Sequence, residues 1–246
     1  MPSYVITDVS KGLEFEMLRI LSKNRQYIVI GLVRGKAATE KAPRPTRAAI
    51  TGGKLDYLIA NGGYVPQWDA YDPIGELAEE ADMVSEKLAK LYQTNIAGNI
   101  QLCRYFLPLI LRGDVKKVIA FLSGLADLNS LNGLGLTNSP LYALTTAGLN
   151  VLMAKYSAQY KKDGVLFVSI WPGMVDVGHF DNAGSSQGHG GQVQGGHTRL
   201  PGPTKPDVAM QNVINLWEKA SIENGIQGAQ GGNLQLHRLL VQSTAV

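Results

Sequence analysis

Cysteine is almost absent: the single Cys103 cannot form an internal disulfide, which excludes a disulfide-stapled scaffold and fits a reducing compartment. Charge is sparse as well. Charged residues are 17% of the chain, the net charge is +3, and the basic residues are scattered. A nucleic-acid partner needs a basic stripe, so none is expected. No apolar run reaches the roughly 20 residues of a membrane-spanning helix. Met1-Pro2-Ser3-Tyr4 enters a strand-like run at once, with no signal peptide ahead of it. These absences point to a cytoplasmic protein with no membrane partner. A GxSxG elbow, the mark of many hydrolases, is missing too. His179, His189 and His197 follow no common zinc spacing, so no metal is expected.

What is present is an ample supply of core residues, 45% hydrophobic over 246 positions, which suits one α/β domain spanning 1–246. Short apolar runs at 4–7, 27–33, 55–60, 115–122 and 165–171 read as strands. Amphipathic stretches at 12–24, 76–111, 140–161 and 206–224 read as helices, with Pro108 bending or ending the longest and Pro140 suited to a first turn. A short last strand is expected within 225–240. Strands apolar on both faces and separated by helices imply a doubly wound parallel sheet, with its site at the carboxyl ends of the strands. The stretch 178–202, rich in Gly, Ser and Gln, reads as a flexible loop beside that site. Residues 131–138 read as a Gly/Asn loop. Cys103, on the apolar face of the long helix, reads as core.

Six segments then fall into one register. Ile6-Thr7-Asp8-Val9-Ser10-Lys11-Gly12-Leu13-Glu14 resembles a glycine-rich TGxxxGxG turn, and Asn61-Gly62-Gly63-Tyr64 resembles NNAG. Asn95 stands in Tyr92-Gln93-Thr94-Asn95, Ser123 in Leu122-Ser123-Gly124, and Tyr142 opens Tyr142-Ala143-Leu144-Thr145-Thr146-Ala147, which resembles YxxSKA. Trp171-Pro172-Gly173-Met174-Val175 resembles the PG segment after the next strand. In this order they resemble the short-chain dehydrogenase/reductase family, most of all its carbonyl-reductase-like branch. The resemblance implies a Rossmann-like sheet. It also implies a catalytic set of Tyr142, Ser123 and Asn95, and cofactor contacts from Ser10, Lys11, Gly12, Arg34, Asn61 and Gly62. Its substrate side falls on Trp171, Gly173, Met174, Val177, His179 and Phe180. Family members pair through the helices carrying Asn95 and Tyr142, so a homodimer or homotetramer is implied.

The departures from the family pattern point one way. Its first and third turn glycines are Asp8 and Glu14 here, two carboxylates where a diphosphate would approach a helix N-terminus. The segment 35–54 is too short for the usual third strand with its flanking helices, since one helical crossover alone needs about 10–12 residues. A stub of that strand is expected at 48–51. The lysine that holds the nicotinamide ribose and lowers the tyrosine pKa is Thr146, and the threonine that meets the nicotinamide amide is Val177. Arg34, at the end of the second strand, matches the basic residue of NADPH-preferring relatives.

Loss of cofactor features beside a kept acid end predicts a non-redox isomerase, cyclase or dehydratase without cofactor. Its substrate would be an apolar, carbonyl-bearing molecule of secondary-metabolite type. Two alternatives stand: an NADPH-dependent carbonyl reductase, and a non-catalytic scaffold. The trio also admits structural readings, with Tyr142 as a surface aromatic, Ser123 as a strand-end cap and Asn95 as a helix residue bonded to backbone.

Overall fold

The computed structural model describes residues 1–33, 51–176 and 203–222. Five strands, β1 (Ser3–Thr7), β2 (Ile28–Leu32), β3 (Tyr57–Ala60), β4 (Lys117–Phe121) and β5 (Leu166–Ile170), form one sheet in the order β2-β1-β3-β4-β5. Every pairing is parallel, in a register that aligns Tyr4 with both Val29 and Tyr57, Tyr57 with Lys117, and Lys117 with Leu166. Alternate strand residues face opposite layers, as the two-residue period requires. Tyr4, Ile6, Ile59, Ile119 and Val168 pack against Met17, Val213 and Trp217, from α1 (Gly12–Leu21) and α7 (Pro206–Lys219). Val5, Leu58, Val118, Ala120 and Phe167 pack against Cys103, Phe106, Leu149 and Met153, from α4 (Gly98–Ile110) and α6 (Pro140–Tyr160). Helices therefore cover both faces, and the expected doubly wound sheet is present. Cys103 is core, its thiol pushed up to about 12 by burial. No helix among the described residues is long and apolar enough to cross a membrane.

Three sequence expectations need correction. The stretch 76–111 is not one helix. A single turn, α2 (Ile74–Leu77), is followed by α3 (Ala81–Leu91), a π-helical segment (Tyr92–Ala97) and α4, with Pro108 tolerated inside the last turn. The stretch 131–138 is not simply a loop, because α5 (Leu128–Leu134) enters it. Asp127 caps that helix by accepting from the N–H groups of Asn129 and Ser130, and Gly135 ends it in the left-handed conformation. At 48–51 only Thr51 is described, and it is helical rather than extended. The rest of the shortened segment, the 178–202 loop and the last strand expected at 225–240 lie outside the described residues.

Asp56 ties the amino-terminal edge of the sheet together. Its Oδ2 accepts from the N–H and hydroxyl of Ser3, each at 2.9 Å, and its Oδ1 accepts from the N–H groups of Asp114 at 2.8 Å and Val115 at 3.2 Å. Burial raises the carboxyl pKa, but these hydrogen bonds outweigh it and hold the group below its ordinary value. A depressed folded-state pKa contributes stability above the unfolded value of about 3.9, and that stability is lost as pH falls through the folded value. Asp56→Ala is expected to cost about 3 kcal/mol in urea denaturation at pH 7, because three backbone donors lose their acceptor. Asp56→Asn is expected to flatten the fall in stability between pH 5 and about pH 2.

Candidate active site

The sheet order reverses direction between β1 and β3, so a crevice opens at the carboxyl ends of these two strands. Thr7, the last residue of β1, closes its floor. The Thr7 hydroxyl accepts from the N–H groups of Asn61 and Gly62, both at 3.0 Å, and donates to the Ile59 carbonyl at 3.3 Å. The amides of Asn61 and Gly62, two expected cofactor contacts, are thus bound to the protein itself. On the β1 side the chain leaves through Asp8, whose φ of 62° is left-handed, and reaches Gly12 at φ 73°. Asp is among the few side chains that tolerate this conformation, so the turn keeps its shape without the family's first glycine. The turn packs back on β2, where a Cβ on Gly31 would stand 2.4 Å from Val9 Cγ2.

Asn95 sits inside the π-helical segment and is buried. Its carboxamide oxygen accepts from the Tyr64 N–H at 2.7 Å, and its nitrogen donates to the Tyr64 carbonyl at 3.0 Å and the Thr145 hydroxyl at 3.4 Å. Its own carbonyl accepts from the Asn99 side chain at 2.7 Å. Asn95 therefore fastens the segment after β3 to the helix pair through bonds to the Tyr64 backbone.

Tyr142 lies in the first turn of α6 and is partly buried. Burial pushes its phenol above the ordinary range, and the neighbouring Thr146 hydroxyl opposes this. One turn on, Thr146 occupies the lysine position of the family pattern and donates to the Tyr142 carbonyl at 2.9 Å. Ser123 follows β4, and its hydroxyl oxygen accepts from the Leu125 N–H at 3.2 Å, capping the 3-10 turn Gly124–Ala126. That turn packs along α6, so the element after Ser123 and the helix of Tyr142 are neighbours, and α5 does not part them. Trp171 follows β5 and presses on the same turn, since a Cβ on Gly124 would come within 2.9 Å of its indole. Beyond Gly173, Met174 is 38% exposed, and Val175 bridges to Thr204. Arg34, Val177, His179 and Phe180 lie outside the described residues.

Sequence reasoning missed Asp69. This wholly buried carboxylate accepts from the N–H groups of Leu141 and Tyr142 at 3.0 and 3.3 Å, and burial raises its pKa. Nothing local marks it, because its partners lie more than seventy positions away.

The turn fits a dinucleotide in backbone only. Glu14 Oε2 lies 3.1 Å from where a Cβ on Gly12 would stand, which puts a carboxylate on the helix N-terminus that would have to meet a diphosphate. Thr146 supplies no cation for a ribose. At Asp8, Glu14 and Thr146 the described side chains therefore differ from the family's cofactor pattern, while the backbone of the turn keeps the family's shape.

On the outer side of the helix pair, an apolar groove of about 530 Å³ runs between α3, the π-helical segment and α6, lined by Leu88, Tyr92, Ile96, Leu144 and Gly148. Tyr92 and Leu144 are both more than half exposed.

Residues 6–188 match the short chain dehydrogenase family model. The chain is 43% identical to the short chain dehydrogenase virK of Hypocrea virens, over 93% of this chain and 96% of that protein. It is 39% identical to the short-chain dehydrogenase/reductase iacC of Pestalotiopsis fici, over 96% of this chain and 99% of that protein. Among solved structures, the NADPH-bound carbonyl reductase from chicken fatty liver shares the fold with a TM-score of 0.66 at 17% identity, covering 92% of this chain and 94% of that one. With its motifs in order on a five-stranded parallel sheet and whole-length relatives of the same kind, the chain belongs to the short-chain dehydrogenase family.

Proposed function

We propose that this chain acts without hydride transfer on an apolar, carbonyl-bearing small molecule of secondary-metabolite type, with Tyr142 giving its phenolic proton to the substrate oxygen. The observation that carries this reading is the Thr146 hydroxyl bonded to the carbonyl of Tyr142, in the position where the family's ribose-binding lysine would stand. With no cation acting on it among the described residues, and with burial raising its pKa, Tyr142 stays protonated at neutral pH, a donor rather than a base. Ser123 offers a second O–H, since the Leu125 N–H engages only its oxygen. Two hydroxyl donors on one oxygen stabilise charge that builds there during isomerisation, cyclisation or dehydration. Trp171 and Met174 supply apolar wall beside this end of the crevice.

A second reading, NADPH-dependent carbonyl reduction, is favoured by the left-handed backbone kept at Asp8 and Gly12 and by the dehydrogenase names of the relatives. The exposed groove face of α3 and α6 further supports a homodimer, because contiguous apolar surface on a monomer marks an interface.

Titration with NADPH, followed by nicotinamide fluorescence and by thermal shift, is expected to give no saturable signal up to millimolar cofactor. Saturation in the micromolar range, about −8 kcal/mol, sinks the hydride-free reading in favour of the second. Tyr142→Phe is expected to lower turnover of a panel of apolar ketones and enones, followed by mass spectrometry without cofactor, by about 10²–10⁴-fold. Unchanged turnover removes Tyr142 from the chemistry. Leu144→Glu is expected to convert a dimer to monomer in light scattering, and a parent protein that is already monomeric disproves the assembly.

A further inference from the structure

We infer that Asp69 is the positioning residue of Tyr142: a buried carboxylate, brought in by the chain that follows β3, which holds the first turn of α6 and the Tyr142 backbone within it. Its catalytic meaning rests on the proton-donor reading above, but its geometry does not.

The argument is an account of the donors at the start of α6. A helix begins with N–H groups that have no partner inside the helix, and its own cap residue usually serves one of them. Here the cap residue is diverted. Ser139 has a left-handed backbone at φ 51°, its hydroxyl donates to the Ala70 carbonyl at 3.1 Å, and its N–H donates to the Asp69 carbonyl at 3.0 Å. Pro140 has no N–H to satisfy. The Ala143 N–H already reaches the Ser139 carbonyl at 2.9 Å. Two donors remain, Leu141 and Tyr142, and one oxygen, Asp69 Oδ2, accepts both. Every donor of the first turn is thereby served by the 69–70 segment or by the helix itself.

The other oxygen makes the arrangement informative. Asp69 is 0% exposed, and its Oδ1 has no hydrogen-bond partner. A buried carboxylate with one bare oxygen is costly, so it persists only where the opposite oxygen does something a cheaper residue does not. The serine at position 139 is of the ordinary capping type, but its hydroxyl is engaged with the Ala70 carbonyl. The chain instead caps the helix from outside, and so couples the Tyr142 backbone to the segment that Asn95 clamps at Tyr64. That clamp returns to α6 through Thr145, whose hydroxyl donates to the Tyr142 carbonyl at 3.1 Å. The Tyr142 N–H and C=O are thus both fixed from the Tyr64–Asp69 side, and the phenol is aimed by a frame rather than by its own helix alone.

The test uses the full chain labelled with ¹³Cζ-tyrosine. Ten tyrosine signals are available, and Tyr142→Phe identifies that of Tyr142 by its loss. Asp69→Ala is expected to shift or split the Tyr142 signal while the buried Tyr4 and Tyr57 signals stay in place. Asp69→Asn, which keeps an oxygen acceptor, is expected to return it to the parent position. A folded Asp69→Ala protein with an unmoved Tyr142 signal overturns the inference, as does a displacement common to all ten. Should Asp69→Ala not fold, amide hydrogen exchange decides. The Leu141 and Tyr142 amides are expected to be protected in the parent and to exchange about tenfold faster in Asp69→Asn, where a neutral acceptor replaces a charged one. Free exchange of both amides in the parent, beside a protected Ala143, refutes it. Turnover that survives Tyr142→Phe sinks only the proton-donor reading; the signal and exchange data still decide the role of Asp69.

Discussion

The hydroxyl of Thr7 takes two amide protons from the Asn61-Gly62 segment while giving its own proton to Ile59, and the crevice of this protein hangs on that three-way bond. At the carboxyl ends of parallel strands the ladder stops and backbone groups need new partners. Thr7 provides them across the switch between β1 and β3, which fixes where the following segment starts. Asn95 then seizes that segment at Tyr64 and Asp69 carries it to the head of α6. The crevice is thereby assembled by side chains that bond backbone, and Tyr142 lies in the helix turn that this assembly holds.

The same bonds explain how the site persists without its usual charges. The Asn95 carbonyl is answered by Asn99, and the Tyr142 carbonyl by Thr146 and Thr145. Each contact is internal and neutral. The exception in this framework is Asp69 Oδ1, a buried oxygen without a hydrogen-bond partner.

The sheet was readable because its strands are short apolar runs, such as Tyr57–Ala60, bounded by turns, and because their order matches a known series of motifs. Helix limits were less so. Residues 131–138 look like a loop by their Gly and Asn content, yet the Asp127 cap and the Gly135 stop are ordinary helix signals with α5 between them. At Asp8 a carboxylate stands where the family pattern has glycine, yet the backbone is left-handed there, a shape that local sequence does not reveal. Asp69 was illegible for another reason: a cap delivered across 72 positions leaves no trace in local spacing.

The glycine turn shows how a kept shape and a changed charge combine. The N-terminal end of a helix attracts an anion by about 0.3–1 kcal/mol at an exposed site. Glu14 Oε2 stands 3.1 Å from where a Cβ on Gly12 would be and brings a carboxylate to this turn. Asp8 preserves the conformation of the turn, so α1 still packs on the sheet, while Glu14 adds a carboxylate to it. Shape and charge are carried by different atoms of the same nine residues, which is how a chain keeps the architecture of its family while the side chains of its turn differ from the family pattern.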